Sequence, residues 1–134
     1  MRFTSRTLRL FLLTGLCMAL LFGSTTEAAD KPDKLLRHIV LYKFKDNLKP
    51  GEVQQVMDAF AALPKKIKTI VDFEYGLNKS PEGKSEGLTH AFVVTFKSEA
   101  DRDAYLVDPA HKEYVNVVKD RREKVVVFDY WVTK

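Results

Sequence analysis

Hydrophobic positions beyond residue 35 recur with two different periods, and the order of those periods predicts the fold. Residues 37–44 are rich in β-branched and aromatic side chains. They split into His38, Val40, Tyr42 and Phe44 on one face and Ile39 and Leu41 on the other, a strand apolar on both sides. After Lys49-Pro50-Gly51 the period lengthens: Val53, Val56, Met57, Phe60 and Leu63 recur at helical spacing, and Pro64 is expected to end that helix. Between Ile70 and Leu77, Val71, Phe73 and Tyr75 alternate with Asp72 and Glu74, which predicts a second strand with one wetter face. Asn78 to Gly87, with Pro81, Gly83 and Gly87, reads as a loop, and Thr89 to Phe96 as a third strand, with His90, Phe92, Val94 and Phe96 opposed to Ala91, Val93 and Thr95.

The remaining segments supply a helical pair and a last strand. Ser98-Glu99-Ala100-Asp101 resembles a capping box with aspartate in the glutamate place, followed by Ala104, Tyr105 and Leu106 on a short helix. Asp108-Pro109 opens a second helical piece, because Asp is a good N-cap and Pro suits the first helical position. Tyr114, Val115 and Val118 form its apolar stripe, Asp120-Arg121-Arg122-Glu123 its expected solvated end, and Val125 to Val132 the final strand. The order βαββαβ predicts a ferredoxin-like α+β domain: a four-stranded antiparallel sheet with helices on one side. Strands one, three and four are apolar on both faces, while the helices can cover only one. A second sheet from an identical subunit would cover the other face, so the pattern predicts a homodimer in which two sheets form an α+β barrel.

Composition changes this picture mainly at the N-terminus. The chain has 134 residues, 46% hydrophobic and 30% charged, with a formal charge of +4, which excludes a multidomain enzyme and a polytopic membrane protein. Residues 1–28 carry Arg2, Arg6 and Arg9, an apolar run from Leu10 to Phe22, and Thr26-Glu27-Ala28 as a small-residue cleavage site: the pattern of a signal peptide cut after Ala28. The run spans only about 20 Å as a helix, short of a hydrocarbon core of roughly 30 Å. Residues 29–35 are then a linker, 36–132 the domain, and the destination export, to the periplasm or beyond, with no membrane association after cleavage. The sole cysteine, Cys17, leaves with the leader, and 19 basic and 17 acidic residues remain. That balance makes Lys65-Lys66-Lys68 and Arg121-Arg122 solvated surface rather than a nucleic-acid patch. Three scattered histidines without a thiol give no metal signature, and no phosphate loop or dinucleotide turn implies a cofactor.

Four pieces in order carry a family resemblance: His38-Ile39-Val40-Leu41-Tyr42-Lys43-Phe44-Lys45; Tyr75-Gly76 with Gly87-Leu88-Thr89-His90-Ala91-Phe92; Asp103-Ala104-Tyr105-Leu106-Val107-Asp108-Pro109-Ala110-His111; and Val127-Phe128-Asp129-Tyr130. Over residues 36–132 the chain resembles the stress-responsive dimeric A/B barrel domain family. The resemblance implies the same fold and dimer. From the family's plant polyketide cyclase it also implies acid–base roles for Tyr105 and His111, with His38 and His90 near the pocket. That cyclase has a histidine where this chain has Asp108, so its His-Pro-Ala-His run is half present.

His111 falls at the third position of the helix that Asp108 caps, where the helix's positive end disfavours imidazolium and leaves a neutral ring able to act as a base, with Tyr105 as hydroxyl partner. The alternative is a ring that merely closes the helix junction. From their place at the start of apolar-faced strands, His38 and His90 read as satisfied residues at the edge of the core rather than catalytic ones, and as N-terminal residues of antiparallel neighbours they are expected toward opposite ends of the sheet. Three functions follow as expectations. One is an exported homodimer of unassigned activity with a pocket for a small apolar or aromatic ligand. Another is a cofactor-free acid–base enzyme, cyclising or isomerising such a molecule. The third is a structural assembly with no pocket.

Overall fold

The computed structural model describes residues 34–133. The signal peptide expected at 1–28, and most of the linker, lie outside the described residues. The elements run β1 (Leu36–Phe44), α1 (Pro50–Ala61), α2 (Leu63–Lys66), β2 (Asp72–Leu77), β3 (His90–Phe96), α3 (Glu99–Val107), α4 (Pro109–Val118) and β4 (Arg122–Trp131). The strands form one antiparallel sheet in the order β2-β3-β1-β4. This is the ferredoxin-like α+β fold.

Alternation along β1 decides which side the helices take. Leu36, His38, Val40, Tyr42 and Phe44 are all buried, while the residues between them are half-exposed. With Phe92, Val94 and Phe96 of β3 they meet Val56, Met57 and Phe60 of α1, Tyr105 of α3, and Tyr114 and Val118 of α4 in a single core. Phe60 is its hub, with ring centroids 4.4 Å from both Phe92 and Tyr114. The opposite face carries Ile39, Leu41, Val93, Val126 and Phe128 with no helix over it among the described residues, and Phe128 is 61% exposed.

Three boundaries depart from the sequence pattern. Pro64 does not end the first helix: α1 stops at Ala61, and Pro64 sits in the first turn of the four-residue α2, where its missing N–H costs nothing. β2 begins at Asp72 and leaves Val71 exposed. The charged run Asp120–Glu123 is not a helix end throughout, since β4 already begins at Arg122. Regular pairing sets Tyr42 opposite Val125 and Lys43 opposite Lys124, but Phe44 lies opposite Arg122, so the register shifts and Glu123 is passed over. Such a bulge changes which side chain a strand presents to a given face.

The α3–α4 junction follows its caps. Ser98 Oγ accepts from the Asp101 N–H at 3.1 Å, and Asp108 Oδ1 accepts from the Ala110 N–H at 2.7 Å, with Pro109 opening α4. Asp108 thus has a structural task at the position where the chain departs from the cyclase run.

Candidate active site

β4 is one of the two edge strands, and among the described residues the helices do not close over it. Its helix-side residues Val125 and Val127 remain 37% and 54% exposed, and between them and the α3–α4 junction lies a cavity of about 270 Å³. His38, Tyr105 and His111 line it together with Asp129 and Arg122. Three of the four residues singled out from the sequence are therefore brought together.

His38 is buried on β1 directly opposite Asp129 of β4, and its Nδ1 donates to Asp129 Oδ1 at 2.7 Å. The second carboxylate oxygen of Asp129 accepts from Arg102 of α3, which also reaches Asp103 through Nε at 2.7 Å. A carboxylate held on two sides fixes the ring and leaves Nε2 as the nitrogen able to meet a ligand. His111 is oriented in a comparable way: Nδ1 donates to the Leu106 carbonyl at 3.2 Å. A carbonyl only accepts, so in the neutral ring Nε2 carries the lone pair. The proton affinity of His111 lies below the ordinary 6.5; burial is the main cause and His38 adds to it, while the Leu106 carbonyl and Asp108 act in the opposite sense. Burial thus acts in the direction of the neutral ring expected at this position.

The ring of Tyr105 touches both imidazoles, with centroids 4.4 Å from His111 and 5.8 Å from His38. Its side chain is 1% exposed, and burial pushes the phenol well above its ordinary 10.0. Tyr105 therefore keeps its proton at neutral pH and can donate a hydrogen bond but not act as a base. The described residues offer its hydroxyl no hydrogen-bond partner, whereas Tyr42 and Tyr114 bond each other at 2.8 Å deeper in the same wall. Two oriented imidazoles and a protonated phenol around an apolar cavity can remove a proton from a carbon acid and stabilise the oxyanion that forms, using only side chains.

His90 stands apart. It lies opposite Tyr42, while His38 lies opposite Val94, so the two histidines occupy different ends of the β1–β3 pair, as antiparallel pairing predicts. Its ring packs edge-on against Phe44 at 4.9 Å, and Nδ1 is 2.8 Å from Thr89 Oγ1. It lines a different hollow, of about 280 Å³, with Leu41, Leu77 and Leu88 beneath the 78–89 loop. Sequence reasoning missed Asp129 and Arg102. Asp129 had a signal, being the one carboxylate on the helix-side register of an otherwise apolar strand; Arg102 had none, because its partner is set by tertiary packing.

With this geometry in place, relatives can be compared. The chain is similar to olivetolic acid cyclase of Cannabis sativa, 30% identical over 71% of this chain and 94% of that protein. In structure it is similar to a hydroxynitrile lyase from Passiflora edulis, at 26% identity with a TM-score of 0.71 over 75% of this chain and 94% of the other. It is also similar to a dimeric protein of ferredoxin-like fold from Bacteroides fragilis, at 31% identity with a TM-score of 0.59 over 72% and 94%. The model of the Stress Responsive A/B Barrel Domain matches residues 36–132. That span runs from the first residue of β1 past the end of β4 and takes in every side chain of the cavity, and the chain belongs to this family.

Proposed function

We propose that the cavity between β4 and the α3–α4 junction is the site of cofactor-free acid–base chemistry on a small apolar or aromatic molecule. One observation carries this reading: His38 and His111 each have Nδ1 tied to an acceptor, and both share the cavity with a Tyr105 hydroxyl that has no partner among the described residues. Two relatives with named activities, a cyclase and a hydroxynitrile lyase, support a reactive rather than a purely structural role. In this reading a histidine Nε2 takes a proton from carbon, and Tyr105 donates to the oxygen on which charge develops. A pocket-free assembly would instead have this space filled by side chains.

The test is to screen aromatic and polyketide-like carbonyl compounds for binding or turnover and then to compare His111→Ala and Tyr105→Phe. Each change is expected to lower turnover about 10²–10⁴-fold, the usual range for a positioned acid or base. Unaltered turnover in both variants would contradict the assignment.

The protein is also proposed to be a homodimer formed through the bare sheet face, which presents Phe128 at 61% and Tyr130 at 39% exposure beside Ile39, Leu41 and Val93. The dimeric relative from Bacteroides fragilis supports this. Light scattering of the domain is expected to give twice the chain mass, and a monomer at micromolar concentration would contradict it. Export is proposed from the leader-like residues 1–28 alone. An N-terminus at Ala29 on the recovered protein supports it, and a retained Met1 in the cytosol would not.

A further inference from the structure

Two formally charged residues line the cavity, and their situations differ. Asp129 is ion-paired with Arg102 and also accepts a hydrogen bond from His38. Arg122 also lines the cavity, half-buried, and meets no carboxylate among the described residues. Its surroundings are the phenols of Tyr42 and Tyr114, whose proton affinities burial raises and Arg122 pulls back down. A half-buried guanidinium beside two neutral hydroxyls and an apolar wall, with no carboxylate partner among the described residues, is placed to receive an anion from a ligand.

The bulge in the β1–β4 pair is what places it there. Had the register continued unbroken past Lys43 and Lys124, Phe44 would face Glu123, and a carboxylate would take the helix-side position. The shift sets Arg122 opposite Phe44 instead, and Glu123 turns to Lys43, with Oε1 2.7 Å from the ammonium. One extra residue thus exchanges an anion for a cation at this end of the cavity. The opposite end is marked by His38, six residue steps along β1 from the Phe44 that faces Arg122, or about 20 Å of strand between backbone positions.

We infer that Arg122 is the anchor for a carboxylate, so that the ligand is an elongated apolar or aromatic carboxylic acid with its charged end at Arg122 and its body reaching toward His38, Tyr105 and His111. The planar fork of arginine matches a carboxylate with two parallel hydrogen bonds, and the apolar walls give that pair a drier environment than a surface ion pair has. Arg122 binds and orients; it takes no part in proton transfer. This inference rests on the reading of the cavity as a ligand pocket, and the experiment separates the two.

Two probes of nearly the same shape and different charge are compared by calorimetry at pH 7: 4-butylbenzoate and 4-butylbenzamide. The wild-type protein is expected to bind the benzoate about tenfold more tightly than the benzamide, a preference of one charge-assisted pair. In Arg122→Gln that preference disappears while benzamide affinity stays within about twofold, which also shows that the variant folds; Arg122→Lys keeps part of it. If wild type binds both probes equally, or if Arg122→Gln retains the benzoate preference, the carboxylate anchor is wrong and the pocket stands. If neither probe binds the wild type at millimolar concentration, the pocket reading fails and the anchor fails with it.

Discussion

Two hollows of almost the same size, about 270 Å³ and about 280 Å³, differ in nearly everything that chemistry requires. The one between β4 and the α3–α4 junction gathers two histidines, each tied at Nδ1, a phenol that keeps its proton, and a guanidinium with no carboxylate partner among the described residues. The one beneath the 78–89 loop has a single histidine, braced by Phe44 and Thr89, among leucines and loop residues. Volume does not distinguish them. The first hollow exists because regular elements from both halves of the chain meet at an uncovered edge strand. The second is roofed by a loop folded back by the left-handed Gly87 (φ +78°), where an added Cβ would press on the Lys43 side chain at 3.2 Å.

The sharpest way to break this comparison is through stability. Phe60 is both the hub of the core and part of the first hollow's wall, so Phe60→Ala is expected to cost about 3–5 kcal/mol in urea denaturation. Leu77, which lines the second hollow at 57% exposure, is expected to change stability by less than about 0.5 kcal/mol on replacement by alanine. Similar costs at the two positions would mean that the second hollow is as firmly built as the first.

A smaller effect concerns pH. Burial lowers the proton affinity of both His111 and His90 below 6.5. The unfolded chain therefore binds these protons first, and their contribution to stability is present above about pH 6.5 and is lost as pH falls through the folded values. His111→Gln is expected to flatten part of that acid loss, leaving the part due to His90, as read from urea midpoints at pH 7 and pH 5.5. An unchanged slope would show that His111 is not held neutral by its surroundings.

Much of the fold was legible because it follows from two periods. The alternation of β1 and β3 and the caps at Ser98 and Asp108 are local, and the structure keeps them. Pro64 misled because the same ring that stops one helix can open another. The start of β4 misled because a charged run reads as solvated helix end, whereas here Arg122 lines a cavity and Glu123 serves Lys43. Tyr105 and His111 stood out through their junction, but Asp129 and Arg102 meet His38 only through strand register and helix packing, which no local pattern reports. The antiparallel argument did separate His38 from His90, and that separation is what divides the two hollows.

The three histidines make the comparison directly measurable. With ring nitrogens followed by ¹⁵N NMR at pH 7, addition of the neutral probe 4-butylbenzamide is expected to shift His38 and His111 together and leave His90 where it was, with the His111 proton on Nδ1 throughout. A shift at His90 in place of the other two, or a His111 ring carrying its proton on Nε2, would contradict the choice of the first hollow as the proposed site.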